Sequence, residues 1–143
     1  MYVLDTNILV AALWSRKGAS FELLRRAIEG KLAIAVSVAL ALEYEDVLKR
    51  VAIAEASWAE EGQLDILLDA LLFRARRIMP IRTRLRPSLA DPADEMVLEC
   101  AVQAGADAIV TMNERDFRKA CKTYRLELLR PSALLRRLEG EDR

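Results

Sequence analysis

Histidine is absent from this chain of 143 residues, and no other shortage narrows its chemistry as much. Without an imidazole, a Ser-His-Asp triad, a Cys-His pair and a His-ligated zinc are all excluded within one chain. Cysteine occurs only at positions 100 and 121, too few for a disulfide framework and wrongly spaced for a metal site, so both read as small reduced hydrophobes. Long apolar runs are missing too. The longest, Leu32 to Leu42, has 11 residues interrupted by Ser37, against the roughly 20 needed to span a bilayer. An acid at position 5 and the lack of a basic leader argue against a signal peptide, so a cytoplasmic protein with no membrane partner is expected.

Net charge is lacking as well, with 22 basic and 22 acidic residues. Zero net charge argues against a chain that is cationic throughout, but the charges are unevenly placed. Residues 43 to 69 hold eight acids (Glu43, Glu45, Asp46, Glu55, Glu60, Glu61, Asp65, Asp69) against Lys49 and Arg50. Residues 74 to 86 hold Arg74, Arg76, Arg77, Arg82, Arg84 and Arg86 with no acid, so a balanced total can conceal a basic face. For an enzyme, the machinery left is carboxylates with a hard cation.

The length and 53% hydrophobic content suit one domain, residues 1–143. Tyr2-Val3-Leu4 reads as a short buried strand, Asp5-Thr6-Asn7 as a polar turn, and Ile8 to Trp14 as a helix. A loop at Arg16-Lys17-Gly18 precedes a helix carrying Phe21, Leu24 and Ile28 and ending at Gly30. Lys31 to Val36 suits a buried strand. Ser37 stands where an N-cap belongs, before a helix to about Val51 with Leu40, Tyr44, Val47, Leu48 and Val51 inward. Another helix is predicted over 56–75, then a short strand over 77–81 and an exposed, arginine-rich connection over 82–87. Asp91-Pro92-Ala93-Asp94 opens the next helix, with Asp91 as N-cap and Pro92 at the first position. Glu95 and Glu99 are assigned to a polar face of it, and Gly105 ends it. Ala108 to Thr111 is a strand, residues 112–117 a turn into a brief helix, Leu126 to Leu129 a last strand, and Ser132 the cap of a last helix. Strands alternating with helices imply an α/β fold whose mainly parallel sheet is covered on both faces, with strand C-termini gathered on one edge.

Four acids are candidates for that edge. Asp5 follows the first strand, where it reads as either a helix cap or a ligand. Glu43 lies at the border of an apolar face, Asp94 begins one, and Asp116 lies just past another strand. Close carboxylates raise one another's pKa and repel unless a cation neutralises them. Metal-assisted hydrolysis needs such a cluster, with Mg²⁺ or Mn²⁺ on carboxylate oxygens activating water against a phosphodiester.

Asp5-Thr6-Asn7 after an N-terminal strand, Leu42-Glu43-Tyr44, Asp91-Pro92-Ala93-Asp94 and Thr111 through Phe117 resemble, in order and spacing, the successive motifs of PIN-domain proteins. The nearest resemblance is to the PIN-family toxins of toxin–antitoxin systems, relatives of VapC-like ribonucleases. The resemblance runs from residue 2 to about 135. It implies a three-layer, Rossmann-like sandwich and a Mg²⁺- or Mn²⁺-dependent ribonuclease. Asp5, Glu43, Asp94 and Asp116 match the metal-binding acids, while Thr6, Asn7 and Thr111 match their hydrogen-bonding supports. Position 113 departs from the pattern, since many members carry an acid where this chain has Asn113. An antitoxin protein and a homodimer are the partners implied beside an RNA substrate.

Company from Glu43, Asp94 and Asp116 makes Asp5 the expected central ligand and leaves capping to Thr6 and Asn7. The main reading is a metal-dependent endoribonuclease leaving 5′-phosphate and 3′-hydroxyl ends, with arginines from 74 to 86 or from 115 to 130 holding the backbone. The alternative is a non-catalytic PIN-like module that binds RNA or a protein. A phosphotransfer domain has least support: haloacid-dehalogenase-like enzymes want an acid two residues after the first, where this chain has Asn7, and no phosphate-binding glycine loop occurs.

Overall fold

The computed structural model describes residues 1–54, 57–79, 82, 85 and 89–141. Five short strands alternate with seven helices among them. In chain order they are β1 (Tyr2–Leu4), α1 (Thr6–Trp14), α2 (Ala19–Ile28), β2 (Ala35–Ser37), α3 (Val38–Ile53) and α4 (Glu61–Arg74). Then follow β3 (Arg76–Ile78), α5 (Pro92–Ala104), β4 (Ala108–Val110), α6 (Glu114–Thr123), β5 (Glu127–Leu129) and α7 (Pro131–Glu141).

Every strand pairing among the described residues is parallel, as helical crossovers require. One ladder is β1–β4–β5, with Val3 opposite Ile109 and Ile109 opposite Leu128; the other is β2–β3, with Val36 opposite Arg77. A parallel bridge between Tyr2 and Ile34, with the Tyr2 amide on the Ala33 carbonyl at 3.0 Å, sets β2 beside β1. The order is therefore β3-β2-β1-β4-β5. The chain winds outward from β1 to β3, then returns to β4 on the other side of β1 and winds outward again. Right-handed crossovers then put α1 to α4 on one face and α5 and α6 on the other, the expected three layers. Between β1 and β4 the direction of winding reverses, and such a reversal opens a crevice at the strand C-termini.

The central strands are the most apolar. Val3, Leu4, Ile109 and Val110 are fully buried, with Ile8, Leu9 and Leu13 of α1, Leu40, Tyr44 and Leu48 of α3, and Leu98 and Ala101 of α5 packed into the same core. The edge strand β3 instead exposes Arg76 and Arg77.

The elements agree with the sequence reading in kind and differ at their ends. α4 starts at Glu61 rather than 56, because the Glu60 amide donates to the Gln63 side chain at 2.9 Å and starts the helix there; Ala56 is outside the described residues. β3 ends at Ile78, and Pro80 and Ile81 are outside the described residues too. α7 begins at Pro131, so Ser132 lies inside its first turn and is not its cap. Ser37 does cap α3, accepting from the Leu40 amide at 3.1 Å.

Glu95 and Glu99 require the largest correction. They are buried, not on a polar face. The Leu89 amide donates to Glu95 at 3.0 Å, the Leu85 amide to Glu99 at 3.5 Å, and the Arg82 amide to Gln103 at 2.6 Å. Three side chains spaced four residues apart on α5 thus receive the backbone that leads into the helix. Buried polar groups persist only when hydrogen-bonded, which reconciles their polarity with their burial.

Candidate active site at the strand switch point

Asp5 is held in the β1–β4 crevice before its side chain makes any contact. Its amide donates to the Val110 carbonyl at 2.9 Å, extending the ladder one rung past β1. Asp5 occupies the N-cap position of α1 with extended backbone, yet its carboxylate makes no capping bond. That carboxylate turns across the crevice instead, where Thr111, just past β4, donates its hydroxyl to Oδ2 at 2.7 Å.

Thr111 is fully buried and its hydroxyl is saturated. Its one proton goes to Asp5; its oxygen accepts from the Asn113 amide at 3.0 Å and from Asn7 Nδ2 at 3.4 Å. The Oδ1 of Asn7 accepts from the Met112 amide at 3.3 Å, which fixes the orientation of its amide group. Thr6 and Asn7 therefore do not cap α1 as expected. They lie inside it, and Asn7 stitches the turn after β1 to the turn after β4. From α3, the fully buried Tyr44 donates its hydroxyl to the Leu4 carbonyl, fastening the end of β1 from the other side.

Three further acids act on this crevice. Asp94, half-buried in the first turn of α5, has its carboxyl pushed up to about 7, by burial first and then by the charges of Asp5, Asp91 and Asp116. Burial likewise raises Asp5, opposed by the Thr111 hydroxyl and the Thr6 amide and reinforced by Asp116 and Asp91. Asp116 is exposed in the first turn of α6 and lines an open depression of about 590 Å³ with Met112, Asn113, Glu114, Arg115, Arg118 and Arg130. The charge of Asp116 thus reaches both Asp5 and Asp94. Glu43 is half-buried in α3 and is not among the charges that raise Asp94. Asp91, expected as the N-cap of α5, has that role and a further one. Its side chain caps α5, accepting from the Ala93 amide at 2.9 Å, and its charge also reaches both Asp5 and Asp94. Its spacing of one helical turn from Asp94 was the available signal for the second role.

Among the described residues, no three His, Cys, Asp or Glu side chains form a ready-made metal cage. The donor chemistry still fits a hard divalent cation. Burial first, and neighbouring carboxylates after it, raise two of the acids, and Mg²⁺ retains several waters and is commonly bound through only one or two carboxylates.

A doubly wound parallel sheet with carboxylates near its switch point defines an α/β protein whose candidate site lies at the strand C-termini. A family model described as the PIN domain matches residues 1–115, from β1 into the first turn of α6, and the chain belongs to that family. Asp116, β5 and α7 lie beyond the matched span. PIN domains are commonly nucleases that use divalent metals, and at that level the chain is of a hydrolase type. Neither the curated proteins nor the solved structures compared with it include a match. No helix among the described residues is long and apolar enough to cross a membrane.

Proposed function

We propose that this protein is a metal-dependent endoribonuclease and the toxin component of a toxin–antitoxin pair. The observation that supports the nuclease reading is the placement of Asp5, Asp94 and Asp116, acids from three separate segments, at the switch point, where burial and neighbouring carboxylates raise Asp5 and Asp94. Asp5 and Asp94 would hold Mg²⁺ or Mn²⁺ with Asp116, and Glu43 would complete the set by resemblance. When bound, such an ion supplies Lewis acidity and lowers the pKa of a coordinated water. Thr111 holds the Asp5 carboxylate in one orientation, and Asn7 holds Thr111. The toxin assignment rests on resemblance alone.

Asp5→Asn keeps the shape of the side chain and removes its charge. It should lower Mn²⁺- or Mg²⁺-dependent cleavage of RNA by at least about 100-fold, the scale of losing a positioned electrostatic group, with an unchanged circular dichroism spectrum. Undiminished cleavage would overturn the assignment. Growth arrest on expression, relieved by a small open reading frame adjoining the gene, is the outcome expected of a toxin.

A non-catalytic PIN-like module is the second reading. It is favoured by Asn113, an exposed amide where an acid is common, and by the lack of a preformed cage among the described residues. Calorimetric titration with Mn²⁺ separates the two, since heat of binding that disappears in Asp5→Asn belongs to the nuclease and no heat at all belongs to the module.

A further inference from the structure

Helix α6 carries a feature that its own stability does not explain. Arg115, Arg118, Lys119 and Lys122 are all exposed, and their spacing of three and four residues puts them on one stripe, opposite the buried Phe117, Ala120 and Cys121. Neighbours at that spacing repel when alike in charge, and the stripe contains four such pairs: 115 with 118 and 119, 118 with 122, and 119 with 122. Arg115 also sits in the first turn, at the end of the helix macrodipole that disfavours a cation.

A merely solvated helix face interleaves its signs. Here the acids stop at Asp116, and none follows until Glu127. Glu114, the other acid of the first turn, pairs with Arg130 from the end of β5 at 2.9 Å, and Arg130 also donates to the Met112 carbonyl. Among the described residues, the four cations of the stripe have no ion-pair partner. The stripe begins at the depression holding Asp116, whose walls include Arg115, Arg118 and Arg130. An unneutralised basic row about 10 Å long, from 1.5 Å of rise per residue, therefore runs directly into the acid field.

We infer that the basic stripe of α6 is the track for the phosphate backbone of a single-stranded RNA, delivering the strand to the carboxylates through the depression at Asp116. The choice of RNA rests on the ribonuclease reading; the polyanion chemistry rests on the stripe. Contacts of this kind position a strand without reading its sequence. Of the arginines over 74–86, Arg84 and Arg86 lie outside the described residues. Arg76 and Arg77 lie on β3, at the opposite edge of the sheet from β5, and line no part of this depression.

Binding of a fluorescein-labelled single-stranded RNA is followed by anisotropy in EDTA, so that cleavage does not intervene, between about 50 and 200 mM salt. Each neutralised phosphate of a single strand contributes about −0.7 to the slope of log K against log salt, so Arg118→Gln/Lys122→Gln should reduce that slope by about 1.4. Over this fourfold salt range, the fall in affinity should become about 7-fold smaller than in the wild type. All four side chains are exposed, so folding should be unaffected, which circular dichroism checks. Arg76→Gln/Arg77→Gln is the control and should keep the wild-type slope.

An unchanged slope in the α6 variant, an equal reduction in the β3 control, or no salt-dependent binding by the wild type would overturn the track. Displacement of RNA by polyglutamate at equal charge concentration would overturn it in favour of an acidic protein segment. Loss of the slope with no cleavage under any metal would uphold the track and sink only the nuclease reading.

Discussion

Thr111 is the residue on which the crevice depends most. It is buried, it comes from a different strand than Asp5, and every hydrogen-bonding position of its hydroxyl is used. Thr111→Val keeps the β-branched shape and removes all three bonds, leaving the Asp5 carboxylate and two N–H donors without that partner. A buried group left unsatisfied costs about 1–3 kcal/mol, and urea denaturation should show a loss in that range. The variant should also raise the Asp5 carboxyl further, because the Thr111 bond is the larger of the two interactions that lower it. Asp5 itself was legible in the sequence, since an acid directly after an apolar strand at the start of an α/β pattern falls at a ligand-binding edge. Its partner was legible only through family resemblance. A threonine at the end of a strand has no periodicity that says which distant carboxylate it will meet.

Helix α5 combines two tasks at its N-terminus. Asp91 caps it, Pro92 begins it without a wasted N–H, and Asp94 one turn on faces the crevice. Asp91→Asn separates the tasks, because asparagine caps about as well as aspartate but carries no charge. The variant should keep its stability within about 0.5 kcal/mol while the Asp94 carboxyl falls part of the way below about 7, burial and Asp5 still holding it up, as side-chain carbonyl chemical shifts against pH would show. An Asp94 that titrates as before would mean that Asp91 has no share in raising it. Both ends of α5 were plain in the sequence, where Asp-Pro opens it and Gly105 closes it in the left-handed conformation (φ 64°). Its middle was not. Polarity normally marks a solvent face, so Glu95 and Glu99 pointed outward on composition. The amides of Leu85 and Leu89 reverse that inference, and nothing in a helical period announces that irregular backbone will cover a glutamate row.

For the molecule as a whole, the acid field should write itself into the pH dependence of folding. Asp94 ionises near its ordinary 3.8 when unfolded and at about 7 when folded, so between those values the native state binds more protons. Stability must therefore fall as pH rises through that window, and the raised Asp5 acts in the same direction. Glu22, held down to about 2 by Arg25, and Glu29, Asp107 and Glu127, all lowered by cationic partners, act oppositely. Their contribution is complete by about pH 5, above their ordinary values near 4, so it cannot mask the later decline. Asp94 is only half-buried, so solvent screening reduces its share to about 1 kcal/mol. In EDTA the thermal midpoint should be lower at pH 8 than at pH 5 by about 3 °C, and Asp94→Asn should flatten the difference. Adding Mn²⁺ at pH 8 should reverse it, because a cation that binds only the folded carboxylates adds about 2.7 kcal/mol at 100 times its Kd. A midpoint that neither falls with pH in EDTA nor rises with Mn²⁺ would mean that the acids at the switch point neither repel nor bind, and a metal-dependent reaction would have no seat in this fold.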